Sequence, residues 1–222
     1  PADQVNLFSK DMIKNGYKEI AGAFSRVKNM PDIRNFLTAF FFYSAGVQTI
    51  IYLATIFAKK ELGFATGELV LLVLILQLVA IGGAQAFSVL GNKKGNKISI
   101  MTMILIWLVI CLAAYFTYDK VTFYIIAGFV GLVMGGIQSL SRASYSMLIP
   151  EKDHDTTSYF SFYDVVYKSA IVGGTFIFGL VDNITNNMRY SVLALAFLFV
   201  IGFYFMSKTK IGKVRAPANS SH

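Results

Sequence analysis

Charge is what this chain has least of. Of its 222 residues only 14% are Asp, Glu, Lys or Arg, while 55% are hydrophobic and the mean hydropathy is +0.59. A soluble domain of this length needs more charge to cover its surface, so a water-soluble globule is excluded. Cysteine occurs once, at Cys111, which rules out an intrachain disulfide. Asp153-His154-Asp155 is the one stretch that invites a metal assignment, and three adjacent residues in a hydrophilic loop do not close around an ion. There is no glycine-rich phosphate loop and no Ser–His arrangement within an apolar run. We therefore expect no enzyme, no ATP hydrolysis, no metal and no cofactor. Strand alternation is missing as well, which excludes a membrane barrel. The first apolar run begins near residue 36, too late for a cleavable signal peptide.

What the chain does have is six apolar runs, at about Phe36–Ala58, Leu69–Leu90, Ile98–Tyr118, Val121–Ile149, Ser158–Val181 and Tyr190–Met206. Roughly 20 residues at 1.5 Å each match the ~30 Å hydrocarbon core. The predicted class is an all-α, polytopic membrane protein, with the lipid bilayer as its first partner. The fifth run is the weakest, because Asp164 and Lys168 interrupt it. Residues 1–32 are expected to form a cytoplasmic amphipathic linker, 33–208 the six-helix unit and 209–222 a polar tail.

Basic residues alternate in density between the run ends. One side holds Lys10, Lys14, Lys18, Arg26, Lys28, Arg34, Lys93, Lys94, Lys97, Arg142, Lys152, Lys208, Lys210, Lys213 and Arg215; the other holds Lys59, Lys60, Lys120 and Arg189. The richer side is predicted to be cytoplasmic, with both termini on it. The net charge of +8 is thereby read as an orientation signal and not as a nucleic-acid footprint. Over residues 5–29, Phe8, Met12, Tyr17, Ile20, Phe24 and Val27 recur every three to five positions between lysines. That pattern fits either a helix lying on the inner membrane surface or a linker helix packed on protein. Pro31 is placed to begin the first membrane helix. Thr66 is expected to N-cap the second, with Glu68 near its positive end in a structural role. Asn183-Ile184-Thr185 matches a glycosylation triplet, a pattern common by chance and without meaning in a bacterial inner membrane.

Two pairs of segments repeat at an offset of about 90 residues. Ala45-Gly46-Val47-Gln48-Thr49 echoes Gly135-Gly136-Ile137-Gln138-Ser139, and Ile81-Gly82-Gly83-Ala84 echoes Ile171-Val172-Gly173-Gly174. Six runs in two similar triplets imply one three-helix unit used twice. Because three is odd, the second copy lies upside down in the membrane, a ground plan of secondary transporters.

In the fourth run Gly128, Gly131, Gly135, Gln138, Arg142 and Tyr145 follow at steps of three and four, which puts them on one face. The glycines are expected to let another helix approach closely. An isolated arginine within a span costs about 2.5–3.5 kcal/mol on insertion scales, so Arg142 should meet an acid. It lies about 12 Å from Pro150, and Asp164 about 9 Å from Ser158, at similar depth on antiparallel neighbours. An Arg142–Asp164 ion pair is predicted, with Lys168 sharing the Asp164 face and competing for it. Gln48 and Gln138, the repeat-related amides, are predicted to contact a small polar solute, for which an amide offers two donors and an acceptor. Tyr52 and Tyr163 are added as substrate contacts, and Tyr163 and Tyr167 as hydrogen-bond partners beside the ion pair. Gln77, Gln85 and Ser88 on the second run are expected to hold the bundle together.

Here a resemblance emerges. Gly135-Gly136-Ile137-Gln138-Ser139-Leu140-Ser141-Arg142, followed by Leu148-Ile149-Pro150, resembles the second half of major-facilitator transporters. More narrowly it is similar to the branch that includes the yeast vacuolar amino-acid effluxers of autophagy and their bacterial relatives. Phe160-Ser161-Phe162-Tyr163-Asp164-Val165, Phe178-Gly179-Leu180, Leu62-Gly63-Phe64 and Leu76-Gln77-Leu78-Val79-Ala80 resemble it too, so the likeness runs from about Ile33 to Ile211. One loop departs from the pattern. Major facilitators often carry an acid in a cytoplasmic-loop motif, and here Asn92 stands in its place while Lys93, Gly95 and Lys97 fit; a hydrogen bond from Asn92 or a purely topological turn are the two readings.

The resemblance implies half of a twelve-helix fold, a C-terminal half that is a fragment or an excised piece of a longer protein. It implies helices one and four along a central cavity, two and five flanking it, and three and six toward lipid. The expected function is secondary transport of small polar solutes, amino acids above all, by alternating access against an N-terminal six-helix half. The second reading is a non-transporting six-helix scaffold that self-associates as a homodimer or binds another protein. The membrane implied is a bacterial inner membrane or a vacuolar one. Under the transport reading Asp164 either exchanges a proton as its partners alternate or stays in a permanent salt bridge.

Overall fold

The structure, a computed structural model, describes residues 21–150 and 155–211. Most of the amphipathic stretch, Asp153, His154 and the tail beyond 211 lie outside the described residues. Every long element is a helix: α1 Pro31–Leu62, α2 Thr66–Lys94, α3 Asn96–Tyr115, α4 Lys120–Leu148, α5 Thr156–Thr185 and α6 Met188–Lys208. A short helical segment, 21–28, precedes them. All six long helices have the length and hydropathy of membrane spans. α5 is continuous through Asp164 and Lys168. Most of the helices outrun their apolar cores, because polar ends continue the helix past the hydrocarbon.

The ends show local rules at work. Pro31 opens α1, and Gly63 closes it in the left-handed region at φ 64°, where glycine carries no Cβ penalty. The cap of α2 is Ala65, not Thr66 as expected. Thr66 is already helical, and Glu68 alone supplies the capping acceptor, taking the Ala65 N–H at 2.7 Å. α3 stops at Tyr115, three residues short of the apolar run. The carbonyls of Tyr115 and Thr117 accept from the Arg189 guanidinium of α6, which satisfies two acceptors that the helix end would otherwise leave open. Asp119 caps α4 through the Thr122 N–H at 2.8 Å, and Asp155 caps α5 through Ser158.

The two triplets interlock. α2 packs on α4 and α5 on α1, so the second helix of each repeat lies against the first helix of the other. Exchanging α1 with α4, α2 with α5 and α3 with α6 maps the α1–α6 contact onto α4–α3, α5–α6 onto α2–α3, and α3–α6 onto itself. That correspondence, which holds for every helix pair except the slight α1–α2 contact, is the signature of an inverted repeat. Glycine permits both crossings: a Cβ on Gly83 would run into the Leu132 carbonyl of α4, and one on Gly174 into the Ala45 carbonyl of α1. The close approach thus sits one position off the 90-residue echo on the second helices. Gly131 and Gly135 face the Leu76 and Ala80 carbonyls of α2, as expected of packing glycines, whereas Gly128 meets nothing in the described structure.

Paired charges tie the ends of the bundle. Glu68 at the start of α2 holds Lys120 at the start of α4 (2.7 Å), and Asp155 before α5 holds Arg26 before α1 (2.6 Å). In both cases the acid also caps a helix and the base lies over a ring, Phe64 at 4.9 Å and Tyr159 at 5.3 Å. The inverted repeat therefore extends to its charge pairs. The 21–28 segment meets protein at this point, with Phe24 edge-on to Phe162 (5.9 Å) and Ala23 and Val27 buried. The Ser158 hydroxyl and then Arg26 hold the Asp155 carboxyl below its ordinary range. A depressed carboxylate contributes stability that is present above about pH 4 and lost as pH falls through the lowered value. Asp155→Asn is expected to flatten the acid end of a melting-temperature profile.

On the opposite face Arg189 is a buried clamp. Its Nε lies 3.4 Å from Glu61, and its guanidinium stacks over Tyr118 (4.2 Å) and Phe57 (5.5 Å). One side chain thus joins the ends of α1 and α3 to the start of α6. Arg189→Gln should cost about 3 kcal/mol by stranding Glu61 and two carbonyls, read as a lowered melting temperature in detergent; a wild-type melt would contradict the clamp.

α2 and α5 are the least covered helices, with Val70, Leu71, Leu74 and Leu78 exposed on one and Val172 and Phe176 on the other. Gln77, Gln85 and Ser88 are exposed on α2 and make no side-chain hydrogen bond among the described residues, contrary to the expectation that they hold the bundle together. α3 and α6 each present an apolar stripe, including Leu105 and Val109, and Phe197 and Val200.

Candidate functional site

A cavity of about 590 Å³ lies between α1, α4 and α5. α1 contributes Phe40, Tyr43, Ser44, Val47 and Gln48; α4 contributes Ile137 through Ala143, Leu140 excepted, and Ser146; α5 contributes Phe160, Tyr163, Asp164 and Tyr167. Measured along α4, Gln138 lies about 15 Å and Arg142 about 9 Å from the helix end at Leu148. The cavity therefore occupies the half of the bundle nearer the basic face.

Its charged pair is Arg142 and Asp164, with Nη1 to Oδ1 at 3.6 Å and both side chains more than half exposed to the open space. The guanidinium also stands over Phe160 (5.1 Å) and Tyr163 (5.9 Å), so aromatic faces orient it toward the cavity. Behind it the rings pile up: Phe40 stacks on Tyr163 at 4.2 Å, and Tyr145 lies 5.0 Å from Tyr163. The result is a site with an apolar aromatic wall, one cation and one anion. Such a site can hold a carboxylate and an ammonium group a few ångströms apart, with an apolar portion against the rings.

The repeat-related amides both reach this space, Gln48 from a buried position and Gln138 from an exposed one. Tyr163 lines it too. Tyr52 does not; it is exposed one turn beyond Gln48, outside the cavity. Lys168 is exposed, lies outside the lining and pairs with no described acid, so in this state it does not compete for Asp164. Tyr163 and Tyr167 make ring contacts with Phe40, not the expected hydrogen bonds. Tyr145 shares the Gln138 face yet is buried, because Phe36, Phe160 and Tyr163 close over the basic end of that face. Its hydroxyl donates to the Tyr159 carbonyl at 3.0 Å.

Sequence reasoning missed Tyr43, which has no polar pattern around it in an apolar run. It is buried, and its hydroxyl lies 2.7 Å from the Ser141 Oγ at the cavity floor. Ser141 spends its own proton on the Ile137 carbonyl, so Tyr43 is the donor. This bond joins α1 to α4, the two first helices of the repeats. Tyr43→Phe leaves Ser141 bonded to Ile137 and should cost about 1 kcal/mol, whereas Ser141→Ala strands a buried tyrosine hydroxyl and should cost up to about 3 kcal/mol. Equal losses in a melting comparison would contradict that donor assignment.

The loop motif lies on the basic face. Gly95 adopts φ 95° between α2 and α3. Asn92 and Lys93 are exposed and make no side-chain hydrogen bond among the described residues, so of the two readings of this loop the Asn92 bond is not seen there. Its neighbours do the joining: Lys97 donates to the Ser207 carbonyl of α6 (2.6 Å), and Asn96 approaches the Met147 sulfur of α4 (3.6 Å).

Comparison with known proteins bears on this arrangement. The profile of the family described as "Vacuole effluxer Atg22 like" matches residues 2–219. The chain belongs to this family. An MFS-type transporter of Bacillus subtilis, YxiO, is 29% identical over 88% of this chain and 45% of its own length. Autophagy-related protein 22 of Yarrowia lipolytica is 26% identical over 96% of this chain and 38% of its own, and that of Saccharomyces cerevisiae strain S288c 25% over 94% and 41%. The chain thus spans less than half the length of these relatives. Within the Atg22-like match fall all six helices and every residue lining the cavity.

Proposed function

We propose that this chain is the C-terminal half of a secondary transporter and supplies one wall of its solute path. The observation that carries the reading is the cavity, where two repeat-related amides and an Arg–Asp pair face one aromatic-walled space. A zwitterionic amino acid is the solute we favour: its carboxylate pairs with Arg142, its ammonium group with Asp164 and the ring faces, and Gln48 and Gln138 take the remaining polar contacts. Taking the basic face as cytoplasmic, the cavity opens inward, and alternating access closes it by rocking against the other half. Asp164 exchanges a proton as its pairing with Arg142 opens and closes, which couples flux to a proton gradient. The family match, and a relative named as an MFS-type transporter, support this reading over a passive scaffold.

The test is uptake of labelled amino acids by the full-length protein in proteoliposomes. Wild-type flux should rise with an imposed pH gradient, and Asp164→Asn should lose that dependence. Flux and pH dependence unchanged by Asp164→Asn would remove proton coupling through this residue, and no flux of any amino acid would remove the solute.

A further inference from the structure

Lys168 has no counterpart among the described residues. It lies twelve residues past Thr156 and seventeen before Thr185, about 18 Å and 25 Å from the two ends of α5 at 1.5 Å per residue. That is near the middle of the span, about 10 Å inside the nearer edge of a ~30 Å hydrocarbon core centred on the helix, deeper than a lysine stem reaches. The side chain is exposed, outside the cavity, with the exposed apolar side chains of Val165, Val172 and Phe176 on the same helix.

The described acids are otherwise engaged or out of reach. Asp164 faces Arg142, Glu61 faces Arg189, Glu68 faces Lys120 and Asp155 faces Arg26. Asp119 and Asp32 hold backbone N–H groups of Thr122 and Lys210. Asp182 lies fourteen residues further along α5, about 21 Å toward the opposite face. α2, the other uncovered helix, offers Gln77, Gln85 and Ser88 but no acid at that depth. A second copy of this chain would therefore bring no free carboxylate to Lys168 among the described residues.

We propose that the Lys168 face of α5 docks a membrane helix that carries a carboxylate at mid-depth, supplied by a segment outside these 222 residues. Charge complementarity picks the occupant's chemistry, and the relatives, more than twice as long as the matched region, have room for such a helix. The inference needs a second membrane unit but not the transport reading, so its readout is assembly. In the full-length protein, Lys168→Arg should keep the melting temperature, Lys168→Met should lower it, and K168E should lower it further by setting acid against acid. In the K168E background, replacing membrane carboxylates outside residues 1–222 by lysine, one at a time, should restore melting at one position. Wild-type melting of Lys168→Met and K168E, or no restoring partner, overturns the proposal. So does a K168E protein that melts normally but loses uptake, which would assign the carboxylate to the solute.

Discussion

Arg142→Ala is expected to reduce solute flux in the full-length protein by about 100-fold or more, equivalent to about 2.7 kcal/mol of lost binding. Among the described residues the guanidinium is the one cation lining the cavity, and Phe160 and Tyr163 aim it there. Removing it takes away the partner of a solute carboxylate and strands Asp164 in the same space. A hydrogen bond to a charged group is worth about 1.5–3 kcal/mol, which brackets the expected loss. Arg142→Lys should recover part of the flux, since it keeps the charge but loses the planar group that stacks on Phe160 and pairs in a fork. Unaltered flux in Arg142→Ala, with uptake otherwise established, would take the pair out of the solute path.

Gly174→Val and Gly83→Val are expected to prevent folding, each by about 3 kcal/mol or more. At both positions the added atoms meet backbone carbonyls of a crossing helix, Ala45 and Leu132, which cannot swing aside as a side-chain tip does. The two positions mark the equivalent crossings of the inverted repeat, so their losses should match. Gly82→Val, one residue away, meets open space and serves as the control. Fluorescence-detected size exclusion of the expressed unit reads all three. A monodisperse Gly174→Val protein would contradict the helix crossing.

Much of this architecture was legible in the sequence because membrane helices obey simple geometry. Depth follows from a fixed rise per residue, which is why Arg142 and Asp164, read from their distances to Pro150 and Ser158, lie within ion-pair reach. The Gly135 echo of Ala45 likewise marked the helices that carry the repeat. Other features depended on what covers a face, which spacing does not encode. Tyr145 and Gln138 lie seven residues apart on one face, yet only Tyr145 is roofed over, by Phe36 and Phe160 from other helices. Tyr43 and Arg189 escaped for the same reason. A tyrosine in an apolar run, or a single arginine at a span end, reads as a lipid-interface residue until its long-range partners, Ser141 and Glu61, are in place. Thr66 was a good cap by residue type, but Glu68 reached back to Ala65 first.

The most direct test of the cavity as a solute site is chemical labelling of its wall. Ser139 lines the cavity and is exposed, while the native Cys111 is buried. Ser139→Cys in a full-length protein whose native cysteines, Cys111 and any outside residues 1–222, are replaced by alanine should react with a membrane-impermeant maleimide applied to the basic face, and a saturating mixture of amino acids should slow that reaction. Labelling from the opposite face alone, or a rate that no amino acid changes, would contradict the account.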